Sequence, residues 1–150
     1  MKKILITLAI IIIIPLAYWT ISPLFTQTVV DEKLEDITDN QNAIITLSQG
    51  SFIGQGTHNA EGTVKLIKDG EKTFIRFEDD FNVTNGPDLF VYFGKDGEYV
   101  NEARIGELKG NIGGQNYEIP ENINPDSYNE VWIWCRAFSV AFAKAELNSF

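Results

Sequence analysis

The chain has 150 residues, which is enough for one domain of ordinary size and a membrane anchor. Its formal net charge is −9, and without Lys2 and Lys3 the rest of the chain has 10 basic and 21 acidic residues, or −11. A surface this acidic repels the phosphates of nucleic acids and the headgroups of anionic lipids, so we expect no nucleic-acid partner.

The N-terminal segment predicts a helix that crosses a membrane. Lys2 and Lys3 precede 22 residues without a charge, at positions 4–25. As a helix this run would extend about 33 Å, enough to cross the hydrocarbon core of a bilayer. The alternative is a secretory signal peptide. Its nearest small-residue triplet, Thr20-Ile21-Ser22, is followed by Pro23 and forms a poor cleavage site.

Both interpretations place the C-terminal part of the chain outside the cytoplasm, because the basic flank of a membrane segment stays inside. We therefore predict residues 1–25 to be an anchor or an uncleaved signal. The chain would then be a single-pass protein of the cell membrane with an extracytoplasmic C-terminal domain.

Residues 26–42 predict an acidic stalk. Five acidic residues fall within nine positions: Asp31, Glu32, Glu35, Asp36 and Asp39. Three apolar residues have the spacing of a short amphipathic helix, but a helix with so small an apolar face is marginal alone. We expect a solvated spacer that leads to a domain at residues 43–150.

From residue 43 onward the sequence predicts an all-β domain. All 12 glycines lie between Gly50 and Gly114, among short runs of β-branched and aromatic residues. These runs predict strands at residues 62–68, 71–77, 88–93, 98–100, 130–135 and 138–147, with a long irregular connection at residues 106–125. Seven or eight short strands in about 105 residues are typical of an antiparallel β-sandwich or a barrel-like domain.

A hairpin is the clearest local prediction. Asp69-Gly70 favours a two-residue type I′ turn, which would pair Lys68 with Glu71 and Val64 with Ile75. The buried face would then carry Val64, Leu66, Ile75 and Phe77. The opposite face would carry Lys65, Lys72 and Arg76.

The residue counts restrict the chemistry of the domain. The chain has one histidine, His58, one cysteine, Cys135, and one methionine, Met1. An intramolecular disulfide is thereby excluded, and so are a blue-copper centre, an iron–sulfur cluster and a structural zinc site within a monomer. Motifs for a hydrolase, a transferase or nucleotide binding are also absent. We predict no metal site and, at most, a redox carrier.

Cys135 and His58 each have an ordinary structural interpretation. Cys135 shares one face of its predicted strand with Val131 and Ile133, where a free cysteine usually packs as a small hydrophobe. Arg136 would favour a thiolate if the strand ends at Cys135. His58 follows Gly56 in a turn-rich stretch and is expected to be a hydrogen-bonded loop residue.

Seven short motifs follow one another between residues 50 and 147. They are Phe52-Ile-Gly-Gln-Gly-Thr-His58, Gly62-Thr-Val64, Phe77-Glu-Asp-Asp-Phe81, Gly86-Pro-Asp-Leu89, Gly106-Glu-Leu-Lys-Gly110, Gly114-Gln-Asn-Tyr-Glu-Ile-Pro120 and Trp134-Cys-Arg-Ala-Phe-Ser-Val140. The ordered set resembles the DM-thirteen domain family. The resemblance implies an all-β extracytoplasmic domain that is proposed to take part in electron transfer. It also implies that Cys135 acts as a naked thiol or as a ligand of a group such as haem.

We therefore predict an electron-transfer or redox component with Cys135 as the candidate redox thiol. Cys135 and His58 are the candidate ligands of an unidentified cofactor, with haem as one candidate. The predicted partners are the lipid bilayer and a redox or surface protein that supplies or accepts electrons. The alternative is a non-catalytic extracellular binding or structural module in which Cys135 packs in the core.

Overall fold

The computed structural model describes residues 2–22, 26–38 and 44–149. The end of the predicted anchor at residue 25, stalk residues 39–42 and the predicted domain start at residue 43 lie outside these ranges. Helix α1 spans Lys2–Ile21, and single turns of 3-10 helix lie at Leu34–Asp36 and Pro125–Ser127. The strands are β1 (Ile45–Gly54), β2 (Ala60–Glu61), β3 (Thr63–Asp69), β4 (Lys72–Phe77), β5 (Asn82–Val83), β6 (Leu89–Lys95), β7 (Glu98–Glu107), β8 (Gln115–Glu118), β9 (Glu130–Cys135), β10 (Val140–Glu146) and β11 (Asn148–Ser149).

Eight strands form one antiparallel sheet in the order β7-β6-β9-β10-β1-β3-β4-β8. The sheet curls into a half-barrel, β11 adds to β1, and β2 and β5 form a separate pair. The prediction of an antiparallel all-β domain of seven to eight strands is confirmed. The strands belong to one curled sheet, whereas a sandwich would need two sheets packed face to face.

The core lies inside the curl and follows the period-two pattern of the strands. Along β9, Val131, Ile133 and Cys135 are fully buried on one side, while Trp132 and Trp134 occupy the other. From the other half of the sheet, Phe77 meets this core and packs edge-on against Phe52 at 4.9 Å between ring centroids.

The hairpin of β3 and β4 forms, but the predicted pairing is wrong. Asp69 pairs with Lys72 and Val64 pairs with Phe77, so Gly70-Glu71 is the loop. Gly70 has φ +58° while Glu71 has no positive φ, which is the pattern of a type II′ turn that needs glycine first. The partner of each residue shifts by two positions, so the buried face is the predicted one.

Two further strand predictions differ from the structure. β7 extends to Glu107, well beyond the predicted end at residue 100. β8 lies within residues 106–125, where the sequence predicts an irregular connection, and its four residues pair with β4. β8 is too short to show a period-two pattern, so the sequence carries no local signal for it.

Part of the predicted spacer is bonded to the domain. We call residues 28–33 the docking segment. The amides of Val30 and Glu32 donate to the carbonyls of Ile112 and Gly114 at 2.9 and 3.0 Å. Gly113 has φ +92°, and a side chain there would lie 2.2 Å from the Val30 carbonyl oxygen, so this approach requires glycine.

The docking segment buries Arg76, which the sequence places on the solvent face. Only 4% of Arg76 is exposed. Its guanidinium donates to the main-chain carbonyl of Glu32 at 2.6 Å and to the side chain of Asn116 at 3.0 Å. Lys109 in turn binds the Glu32 carboxylate at 2.8 Å. A buried guanidinium is tolerated here because its donors have acceptors.

Helix α1 is long and apolar enough to span a bilayer. Residues 2–19 have a mean hydropathy of 1.9, and none of this window is buried against the domain. Length and composition support a membrane span without demonstrating one, and a signal sequence has the same properties.

One end of the half-barrel, which we call the anchor end, lies next to α1. The last residue of β9, Cys135, pairs here with the first residue of β6, Leu89. Thr26 lies at the same end, where its carbonyl accepts a hydrogen bond from the Asn85 side chain at 2.7 Å. The four peptide steps from Ser22 to Thr26 span at most about 14 Å, so α1 must end near this end.

We predict that the docking segment stabilises the domain through Arg76. Deleting residues 26–43 removes the Glu32 carbonyl from the guanidinium, which keeps its side-chain acceptors. The free energy of unfolding should fall by about 1.5–3 kcal/mol, the contribution of a hydrogen bond to a charged group. Urea titration of chains that begin at residues 26 and 44 measures this difference.

The Arg76→Leu variant is the control for this coupling. In that background the same deletion should cost measurably less, because there is no guanidinium to lose its hydrogen bond to the Glu32 carbonyl. An equal cost in both backgrounds would show that the segment stabilises the domain independently of Arg76.

Candidate functional site

Cys135 ends β9 inside the apolar core at the anchor end. Its exposed fraction is 0%, and its neighbours in the sheet are Leu89 of β6 and Val140 of β10. The buried cluster around it includes Ile133 and Phe142. The thiol therefore has no contact with solvent in this conformation, and a reagent can reach it only if the end of β9 opens.

Arg136 follows Cys135 but is directed to β6. Its guanidinium binds the Asp88 carboxylate at 3.2 and 3.3 Å and lies 3.8 Å above the ring centroid of Phe90. Its amide also donates to the Asp88 carbonyl at 3.0 Å. The structure thus pairs Arg136 with Asp88 instead of with the thiol. This ion pair fixes the end of β9 to the start of β6.

His58 lies in the loop between β1 and β2, also at the anchor end. Its ring stacks on Phe142 with 3.6 Å between centroids and 12° between planes. Phe142 occupies a β-bulge of β10, and Gln55 holds it by donating to its carbonyl at 3.0 Å. Partial burial lowers the pKa of His58, because desolvation disfavours the charged imidazolium.

His58 borders a polar cleft of about 700 Å³ that does not include Cys135. The polar side chains of its lining include Gln27, Asn59, Asn82, Thr84, Asn85 and Asn111. Several of these already have partners, since Asn111 accepts from the Thr28 amide at 2.8 Å and Thr84 from the Asn59 amide at 2.9 Å. The cleft therefore serves in part to hold the chain that enters from α1.

The structure brings Cys135 and His58 to one end of the barrel but not to one cavity. Phe142 stacks on His58 and belongs to the buried cluster of Cys135. A haem ligated by both residues would have to displace this ring and open the core. The two side chains therefore do not fit as a pair of axial ligands in this conformation.

The described residues also contain no group of three His, Cys, Asp or Glu side chains arranged for a metal ion.

An aromatic stack on the outer face of the sheet was not predicted. Trp134 stacks on Tyr99 of β7 with 4.0 Å between ring centroids and 24° between planes, and Tyr99 meets Tyr92 edge-on at 5.3 Å. Alternation along β9 does predict the side on which Trp134 lies. The partner Tyr99 could not be inferred, because irregularities in the β6–β7 register move it relative to β6.

Comparison with known families gives one match. The family described as "Electron transfer DM13" matches residues 51–147, about two thirds of the chain. The matched region contains both Cys135 and His58, whereas the docking segment lies before it. No curated protein and no solved structure matches the chain.

We predict that His58 makes stability depend on pH. Its pKa is lowered on folding, so below about pH 6.5 the unfolded chain binds more protons than the folded one. The contribution of His58 is therefore fully present above pH 6.5. It decreases as the pH falls through 6.5 towards the lower pKa of the folded state. Urea titrations across this range measure the loss.

The His58→Phe variant keeps a ring against Phe142 and removes the titration. Its stability should fall less over the same pH range, while the carboxylates contribute equally to both proteins. Because the chain has a single histidine, its NMR titration also reports this pKa directly. A midpoint above 6.5 in the folded protein would contradict the prediction.

Proposed function

Because the chain belongs to the DM13 electron-transfer family, we propose that it is a membrane-anchored, extracytoplasmic redox component. The observation that carries this proposal is the family match over residues 51–147. The family description supports a redox-related role for the domain. We propose in addition the side of the membrane on which the domain lies, its reactive group and its partner.

The proposed location depends on α1. The helix has the length and apolar character of a membrane span, and Lys2 and Lys3 precede the apolar run. The basic flank favours a cytoplasmic N-terminus, which puts the β domain on the opposite side. The lipid bilayer is then one partner of the chain. The other is a redox or surface protein that exchanges electrons with the domain.

We propose Cys135 as the redox group of the domain. With one cysteine in the chain, a disulfide can form only with another molecule. The thiolate of Cys135 would attack a disulfide of the partner, forming a mixed disulfide and releasing one partner thiol. Burial protects the sulfur from diffusing oxidants, since oxidation follows exposure and thiolate character. Reaction then requires the end of β9 to move away from β6.

The alternative function is a non-catalytic extracellular module. The specific observation in its favour is the complete burial of Cys135 in an apolar cluster. A cysteine in such surroundings serves as a small hydrophobic residue. The two functions differ in whether local opening at the anchor end exposes the thiol of the folded protein.

The first test is the rate at which an aromatic disulfide reagent modifies the native full-length protein. For a redox thiol we expect labelling without denaturant, and Arg136→Gln should speed it by up to about fivefold. That factor corresponds to about 1 kcal/mol, the upper range for an exposed ion pair. Intact-mass spectrometry should show one modification, which Cys135→Ser abolishes.

Lys72→Gln is the matched control, since it breaks an exposed ion pair with Glu118 at the opposite end of the barrel. It should leave the labelling rate of Cys135 unchanged. Labelling only in denaturant, or equal acceleration by both variants, would indicate global unfolding and favour the packing role. An absorption spectrum of the same sample should show no Soret band, since Cys135 and His58 do not fit as a pair of axial haem ligands in this conformation.

The second test concerns topology. When expressed in a bacterium, the chain should sediment with membranes, and protease added to spheroplasts should digest the β domain. Replacing Lys2 and Lys3 by Glu should reduce the fraction that is accessible from outside, because the basic flank sets the orientation. A soluble product that begins near Pro23 or Thr26 would instead identify a cleaved signal peptide.

A further inference from the structure

We propose that the turn between β9 and β10 lies in the headgroup region of the bilayer that α1 enters. We call residues 136–140 the tip. This inference rests on the proposed membrane anchoring of α1, and it adds a second contact between the protein and the lipid. Three observations support it: the position of the tip, its side chains and its charge.

The tip belongs to the anchor end of the barrel. Arg136 is paired with Asp88, and Asp88 is three residues from Asn85, which binds the Thr26 carbonyl. Thr26 is in turn four peptide steps from the end of the described helical segment at Ser22. These contacts and the short linker thus place the tip and the end of α1 at the same end of the half-barrel. The β3–β4 turn lies at the opposite end.

The tip exposes apolar side chains that do not contribute to the core. Phe138 is 56% exposed and Val140 is 39% exposed, and the other three residues of the tip are exposed as well. Ser139 has φ +52°, an unusual conformation for a residue other than glycine, which shapes the turn that presents Phe138. Aromatic and aliphatic side chains of this kind are found on membrane-surface segments.

The charge of the tip differs from that of the domain. The chain beyond Lys3 carries a net charge of −11, but residues 136–140 contain one arginine and no acidic residue. Its arginine is paired with Asp88, so the tip and this partner are together neutral. Approach of the tip to a lipid surface therefore brings no unpaired carboxylate of these residues towards the headgroups. The acidity of the rest of the domain favours zwitterionic over anionic lipid.

A single Phe and a single Val bind a bilayer weakly, but the tip does not bind alone. A tethered group meets its surface at a high effective concentration, so a weak contact becomes populated once α1 is inserted. The tip connects β9 directly to β10, and the ion pair between Arg136 and Asp88 holds it to β6. The result is a fixed orientation of the half-barrel, with Cys135 next to the lipid interface.

Site-directed spin labelling in phosphatidylcholine vesicles tests this placement. The full-length chain with Cys135→Ala carries a nitroxide at Ala137→Cys, so Phe138 and Val140 remain in place. We expect the label to collide more with oxygen than with a water-soluble nickel chelate. A label at Glu71→Cys, in the β3–β4 turn, should show the reverse. Adding Phe138→Asp should move the tip label towards the behaviour of the Glu71 label.

Co-sedimentation of the protein with the vesicles separates the possible failures. If the chain sediments with vesicles but the label at position 137 is as accessible to nickel as that at 71, the inference is overturned while anchoring stands. If the chain does not sediment with vesicles, the result contradicts both the membrane anchoring and the placement of the tip. Should Cys135→Ala fail to fold, Cys135→Val, which fills the same buried apolar site, replaces it as the background.

Discussion

The fold depends on the division of β1 between two partners. Residues 45–51 pair with β3, and Phe52, Ile53 and Gly54 continue the same strand alongside β10. At Gly50 a side chain would lie 2.1 Å from the Glu146 carbonyl oxygen, so the crossing from one partner to the other needs a residue without Cβ. Because β1 belongs to both halves of the sheet, the sheet curls and its two halves enclose one core. The residues of the candidate site lie where this curl ends.

The chemistry that Cys135 can perform follows from its place in that curl. The thiol is fully buried between neighbouring strands, in the apolar cluster that includes Phe142. Its accessibility is therefore a property of local stability at the strand end, where the Arg136–Asp88 ion pair adds to the main-chain hydrogen bonds between β9 and β6. His58 contacts the same region because its ring stacks on Phe142. Both candidate residues influence one small region of the core, although they do not share a ligand cavity.

Features with a local periodic signal could be predicted, and those that need a distant partner could not. β9 was predicted at residues 130–135 because its apolar residues alternate with tryptophans, and the structure has the same bounds. The buried face of the hairpin was also correct, since a register change of two residues preserves the period-two pattern. Arg76 was placed in solvent because nothing in its neighbourhood reveals that residues 44 positions earlier cover it. The uniqueness of Cys135 and His58 identified them as candidates, but Phe142 and Asp88, which control their surroundings, carry no sequence signal of that role.

The docking segment also determines how the domain would respond to mechanical load. Val29 forms a parallel bridge with Ile112, and the flanking hydrogen bonds of Val30 and Glu32 run along the same line. If α1 is pulled away from the domain, for example by flow or by a bound partner, the force acts along this segment and loads these bonds together in shear. Bonds loaded in this way resist more force than bonds that are peeled apart one after another. The attachment between anchor and domain would therefore behave as a stiff joint, and tension would load the bond between Asn85 and Thr26 before it reached the buried guanidinium of Arg76.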